Sequence, residues 1–227
     1  MPSSSQHLIQ STVDHAVRVL LCALLCGGAG SASGANLVVN VLERDGKPLA
    51  GAVITAEPES APSSAAPPVK AIMDQVNLAF LPDVLVIPVH STVQFPNSDA
   101  VGHQVYSFSS ARRFQLPLYR GKPYPPVSFD QPGIITLGCN IHDNMAAFIV
   151  VTAAPFFGRT DDKGAWTIPN LPDGLYRLKI WHPLLKDQTK LLERSVRIAA
   201  GNNDVTLRIE DVTRPVPLKG RPHSWEY

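Results

Sequence analysis

Proline is spread through this chain densely enough to decide its fold class. Twenty-one prolines in 227 residues disfavour long helices, because proline lacks the backbone N–H and its ring clashes with the preceding turn; they suit strand edges, turns and extended connections. Between them the apolar residues come in short β-branched or aromatic runs: Val84-Leu85-Val86-Ile87, Val105-Tyr106-Ser107-Phe108, Ile134-Ile135-Thr136-Leu137, Ala147 to Thr152 and Leu175 to Trp181. Each is bounded by Gly, Pro or Asx turns, and none carries a helical period. The chain therefore reads as all-β, a sandwich or barrel.

Local patterns give a first outline. Leu37 to Leu42 and Ala52 to Ala56 flank an Asp45-Gly46 turn and predict a β-hairpin. From Glu57 to Ala71 the chain turns to Pro, Ser and Ala, which predicts a flexible connection. Met73 to Phe80 is read as a single strand entering the next module. Further turns are expected at His90-Ser91 and Pro132-Gly133, and at Leu171 to Gly174 in a C-terminal sheet that ends in a proline-rich extended tail.

With 20 basic and 19 acidic residues there is no electrostatic footprint for nucleic acid or an anionic membrane. The N-terminus carries an apolar core, Val19 to Leu25, and small residues Ser31 to Ala35, which predict an export signal cleaved near Ala35. That core is too short to span a bilayer, so no membrane association is expected after cleavage. Cleavage would remove Cys22 and Cys26 and leave Cys139 alone. An odd cysteine in an exported protein implies an intermolecular bond, a reactive thiol or a metal ligand.

The neighbours of Cys139 favour the ligand. Cys139-Asn140-Ile141-His142-Asp143-Asn144-Met145 places a thiolate, an imidazole and a thioether three residues apart on one loop between two strands. Two His, one Cys and a weak axial Met form the blue-copper electron-transfer set, and the loop supplies three of these four. The segment Phe95 to His103 could bring the second imidazole from between two other strands. Ile141 and Ala146 are expected to limit water access, and Asp143 and His182 are weaker candidates for a supporting role and a second metal contact.

Val93-x-Phe95-x-Asn97 followed by His103, then Pro132-Gly133 and Cys139-x-x-His142-x-x-Met145, resembles the cupredoxin pattern of plastocyanin, pseudoazurin and amicyanin. The run from Met73-Asp74-Gln75 to Trp181-His182-Pro183 also resembles bacterial plastocyanin-like proteins labelled methylamine utilization protein. The resemblance implies one type 1 copper ion held by His103, Cys139, His142 and Met145, a cupredoxin Greek-key β-sandwich, and periplasmic electron transfer with a cytochrome or dehydrogenase partner. Gln104 stands where the family has an Asn that ties the two ligand loops together, so a weaker brace is expected.

Thr160 to Gly164, Leu171 to Tyr176 and the Asp45 to Leu49 run resemble a carboxypeptidase-regulatory-like or transthyretin-like module, implying a second small sandwich. The expected division is a signal over 1–35, a hairpin of the second sandwich over 36–56, a linker over 57–71, the copper domain over 72–153, the second sandwich over 154–211 and a tail over 212–227. Ala154-Pro155-Phe156-Phe157 could be a docking patch or the seam between the sandwiches.

Two other readings stay open: a copper carrier or sensor on the same ligands without electron transfer, and a metal-free binding sandwich with Cys139 in its core. Catalysis is not expected, because neither a Gly-x-Ser-x-Gly elbow nor a His-Glu-x-x-His motif occurs.

Overall fold

A computed structural model describes residues 34–60 and 64–213. The expected signal segment with Cys22 and Cys26, the tail from 214 with His223, and residues 61–63 of the expected linker lie outside the described residues. The described residues belong to one compact unit. Its described residues are all-β, without a helix.

The strands in chain order are β1 (Ala35–Glu43), β2 (Val53–Pro58), β3 (Lys70–Ile72), β4 (Asp74–Val76), β5 (Ala79–Leu81), β6 (Val84–Pro88) and β7 (Ser91–Gln94). Next come β8 (His103–Ser107), β9 (Phe114–Tyr119), β10 (Val127–Phe129), β11 (Gly133–Gly138) and β12 (Ala146–Thr152). The chain closes with β13 (Phe156–Arg159), β14 (Ala165–Leu171), β15 (Gly174–Trp181), β16 (Leu192–Ile198) and β17 (Asn202–Ile209).

Four of the sheets build two sandwiches. In the first, the sheet β10-β7-β3 and the sheet β6-β12-β11-β8-β9 enclose one core that includes Met73, Phe95, Val105, Phe129, Ile135, Leu137 and Ile149. In the second, β14-β1-β17 and β13-β2-β15-β16 enclose Leu37, Val39, Ile54, Leu178 and Ile180. The second core also takes in Val84 and Val150 from the first sandwich, so the sandwiches are packed against each other rather than joined by a tether. β12 shows why. Ala147, Ile149 and Val151 face the first core and Val150 faces the second, which explains its nearly unbroken apolar run. Phe148 meets Trp181 of β15 edge-on across this seam, with ring centroids 5.0 Å apart.

Two local expectations are corrected and one open choice is narrowed. The strands on either side of Asp45-Gly46 do not pair with each other as a hairpin: β1 pairs antiparallel with β14 and parallel with β17, while β2 pairs with β13 and β15. The reversal itself forms, with Lys47 N–H on Asp45 Oδ1 at 3.1 Å and a single bridge from Leu42 to Pro48. The Glu43 N–H donates to the Lys47 carbonyl at 2.8 Å and the Leu49 N–H to the Val41 carbonyl at 2.9 Å, and beyond Leu49 the chain crosses to the facing sheet. There Val53 to Ala56 are buried on both faces, a setting that an isolated hairpin cannot offer.

Met73 to Phe80 is not one strand but the antiparallel pair β4 and β5, with Asn77 and Leu78 both in the left-handed region at φ 54° and 60°. That is a two-residue turn of the kind hairpins prefer. Ala154 to Phe157 is not free surface: Ala154 is fully buried, β13 is the edge strand hydrogen-bonded to β2, and Phe156 packs on Tyr176 in the second core.

Candidate metal centre

Strand parity aims the first imidazole inward. Along β8 the burial alternates, with His103, Val105 and Ser107 inside and Gln104 and Tyr106 half-buried. His103 has no exposed surface. β8 lies beside β11, Gly138 opposite Tyr106, and β11 and β12 form a hairpin whose connecting loop runs from Cys139 to Met145. The two segments picked out by their sequence thus share one end of one sheet.

The donor atoms converge. Cys139 Sγ lies 3.9 Å from His103 Nδ1 and 4.0 Å from His142 Nδ1. The three donor atoms lie within 4.8 Å of one another, and the imidazole rings meet edge-on, their centroids 4.9 Å apart. Thiolate and imidazole bonds to a metal are about 2.3 and 2.0 Å long, so sulfur-to-nitrogen separations near 4 Å leave room for one ion between them. Met145 is buried in the same cluster as Cys139, and its N–H donates to the His142 carbonyl at 2.9 Å, which closes the loop. Cys139 is nearly buried, while His142 is half-exposed. Two imidazoles and a thiol, with a thioether at hand, form a soft donor set that suits copper.

Around these groups runs a polar frame that the sequence did not announce. Asp99 Oδ2 lies 2.7 Å from His103 Nε2. Asp99 also accepts the N–H groups of Asn77 and Leu78 at 2.6 and 3.0 Å. The Leu78 amide is the main reason its carboxyl lies below the usual range; burial opposes it as the next largest effect, and the bonds to His103 and Asn77 add to the lowering. The only sequence signal was an Asp four residues before His103.

Buried Asn97 knots the same loop, donating from Nδ2 to the carbonyls of Val101 and Tyr119 at 2.9 and 3.0 Å. Tyr119 stands opposite His103 in β9. Its hydroxyl donates to the Phe95 carbonyl and accepts from Gln75 Nε2, both at 2.5 Å. Burial pushes the Tyr119 phenol up to about 12, so it keeps its proton throughout the physiological range.

The expected weakness at Gln104 is corrected. Gln104 Oε1 accepts from Asn140 Nδ2 at 2.8 Å, so the two ligand loops are braced after all. Antiparallel register explains it: two steps on from Gly138 opposite Tyr106, Asn140 comes opposite Gln104, and the longer amide spans the gap.

Tyr106 also fixes the residue before Cys139. A Cβ at Gly138 would lie 2.7 Å from the Tyr106 ring and hydroxyl, so a larger residue here would have to push the Tyr106 ring aside. Ile141 and Ala146 are exposed, Ile141 at 53%, and therefore do not shield the site; the core around Met145, Val105 and Leu137 does. No hydrogen bond joins Asp143 to His142 among the described residues. Both ring nitrogens of His182 meet backbone groups, Nε2 at 3.1 Å from the Ala50 carbonyl and Nδ1 accepting from Leu184 N–H at 3.1 Å. His182 is thus a structural clamp and not a metal contact.

One family model matches, described as polysaccharide lyase family 4, domain II, over residues 131–206. No curated protein matches the chain. Solved structures are similar to part of it. A Cu-containing nitrite reductase from Thermus scotoductus is 28% identical over 42% of this chain with a TM-score of 0.35, and the match spans only 25% of that protein. A purple cupredoxin from Nitrosopumilus maritimus is 23% identical over 37% of this chain and 99% of its own, with a TM-score of 0.32. A reduced amicyanin variant is 20% identical over 43% of this chain and 99% of its own, with a TM-score of 0.33.

Proposed function

We propose that this chain is an exported copper protein that passes single electrons between redox partners, with His103, Cys139, His142 and Met145 as ligands and no catalytic role of its own. The observation that carries this reading is the convergence of three donor atoms within 4.8 Å at the end of a cross-braced sandwich. Copper, when bound there, supplies a reversible one-electron couple. The chain's contribution is rigidity: electron transfer is fast when the ligands barely move. The Asn97, Tyr119 and Gln104–Asn140 bonds limit how far the two ligand loops can shift.

Protein secreted to the periplasm, its new N-terminus read by mass, is expected to begin before Ala35, which is a buried residue of β1. It should take up one copper per chain and gain intense visible absorption. A fully loaded but colourless protein would overturn the reading in favour of a carrier or sensor, and a protein without copper would leave a metal-free sandwich.

The partner is proposed to meet the protein at the metal end. Val101, Leu118 and Ile141 are exposed there at 44, 58 and 53%, and Leu118 lies against Gly102, with only 3.2 Å from its Cδ1 to where a Cβ would stand. Arg120 and Lys122 are exposed beside them. Of the four basic residues between Phe108 and Phe129, Arg120 and Lys122 belong to this end, because β9 runs from Phe114 opposite Ser107 to Tyr119 opposite His103; together they outnumber the exposed Asp143 of the ligand loop. A redox protein with an acidic contact face fits this surface. Reversing Arg120 and Lys122 to Glu is expected to slow oxidation of the reduced protein by anionic hexacyanoferrate several-fold at low salt and to speed its reaction with cationic hexaammineruthenium. Unchanged rates with both reagents would remove this face from the docking reading.

A further inference from the structure

Asp99 is joined to three donors at once, and only one of them belongs to the candidate metal site. Its side chain is 12% exposed. Oδ1 accepts the Asn77 N–H at 2.6 Å, while Oδ2 accepts the Leu78 N–H at 3.0 Å and lies 2.7 Å from His103 Nε2. The carboxylate is itself placed by its own N–H, which donates to Asn97 Oδ1 at 3.0 Å. An ionised carboxylate can only accept, so the proton of a neutral His103 ring must sit on Nε2. Nδ1 is then left with its lone pair, facing Cys139 Sγ at 3.9 Å. His103 is fully buried, which shields both nitrogens from bulk solvent.

Building on the copper reading, we propose that Asp99 is a positioning residue that fixes the Nε2–H tautomer of His103 before metal arrives and biases the bound copper toward Cu(II). Two physical effects act in the same direction. A carboxylate on the far nitrogen makes an imidazole a stronger electron donor through the near one. Its negative charge, one ring away from the ion, also favours the more positive oxidation state. His142 has no such partner among the described residues, since Asp143 does not bond to it, so the two imidazoles are electronically unequal. The same carboxylate caps a turn in which Leu78 sits at φ 60°, a conformation that is uncommon outside glycine. The turn and the ligand are therefore held by one group.

The test must separate the ligand from the turn. Asp99→Asn removes the charge and sets an amide donor against donors already present. Asp99→Asn combined with Leu78→Gly relieves the turn and leaves the ligand effect. Ring nitrogen resonances of the metal-free protein are expected to show His103 as the pure Nε2–H tautomer in wild type and as a mixture in both variants. With copper bound, losing such a partner is expected to lower the Cu(II)-to-Cu(I) affinity ratio about tenfold, a rise of about 59 mV in the one-electron potential, and this rise should persist in the double variant. An Nδ1–H tautomer in wild type, or copper-loaded variants with the wild-type potential, would overturn the inference. Wild-type protein that binds no copper would instead overturn the copper reading, while the tautomer measurement would still decide how Asp99 acts on His103.

Discussion

Copper-loaded Cys139→Ser protein is expected to show no intense visible band while keeping its fold. The band would come from sulfur-to-copper charge transfer, and Cys139 is the one thiol among the described residues. Serine is a hard donor whose hydroxyl does not ionise near neutral pH, so the soft member of the donor set is lost outright. The structural cost is smaller. Cys139 is 5% exposed, and the new hydroxyl faces His103 Nδ1, an acceptor. With that bond made the substitution should cost no more than about 1–2 kcal/mol. Visible spectra and circular dichroism on the same samples separate the two effects. A band that survives in the variant would place the chromophore elsewhere and remove Cys139 from the ligand set.

Trp181→Ala is expected to produce the largest loss of stability, about 3–5 kcal/mol, as for other large buried aromatics truncated in a core. Trp181 has no exposed surface. It ends β15 in the second sandwich, while its ring packs on Phe148 of the first. Its Nε1–H donates to the Gln188 carbonyl at 2.8 Å. Truncation leaves a void at the seam and an acceptor without its partner. Denaturant unfolding should show a lower midpoint. Because Trp181 lies outside the cluster around Cys139 and Met145, the visible spectrum of the folded variant should not move. A loss below about 1 kcal/mol would mean that the sandwiches are not held together at this point.

Much of the architecture was legible because it is written locally. Period-two alternation marked β8 and β15, and the Gly and Asx turns marked most reversals. Cys139, His142 and Met145 were visible together because one tight loop between two strands carries all three. The failures also have local causes. Two strands around an Asp-Gly turn look alike whether they pair with each other or with distant partners, so local pattern alone predicts a hairpin of β1 and β2. Met73 to Phe80 looked continuous because left-handed Leu78 is not a turn signal by type; the turn exists where Asp99, some twenty residues away in sequence, accepts its two N–H groups.

By itself, then, the sequence determined the all-β class, most of the longer strands, and a loop rich in soft donors. Those follow from backbone sterics and side-chain periodicity, which act over a few residues. The tertiary structure decided the rest: the parallel pairing of β1 with β17, the shared core at β12, the approach of His103 to Cys139, and the bonds from Asp99 and Asn140 that hold the site. These depend on which surfaces are buried against each other when the whole chain closes, a choice made by long-range packing and by the need to satisfy buried polar groups.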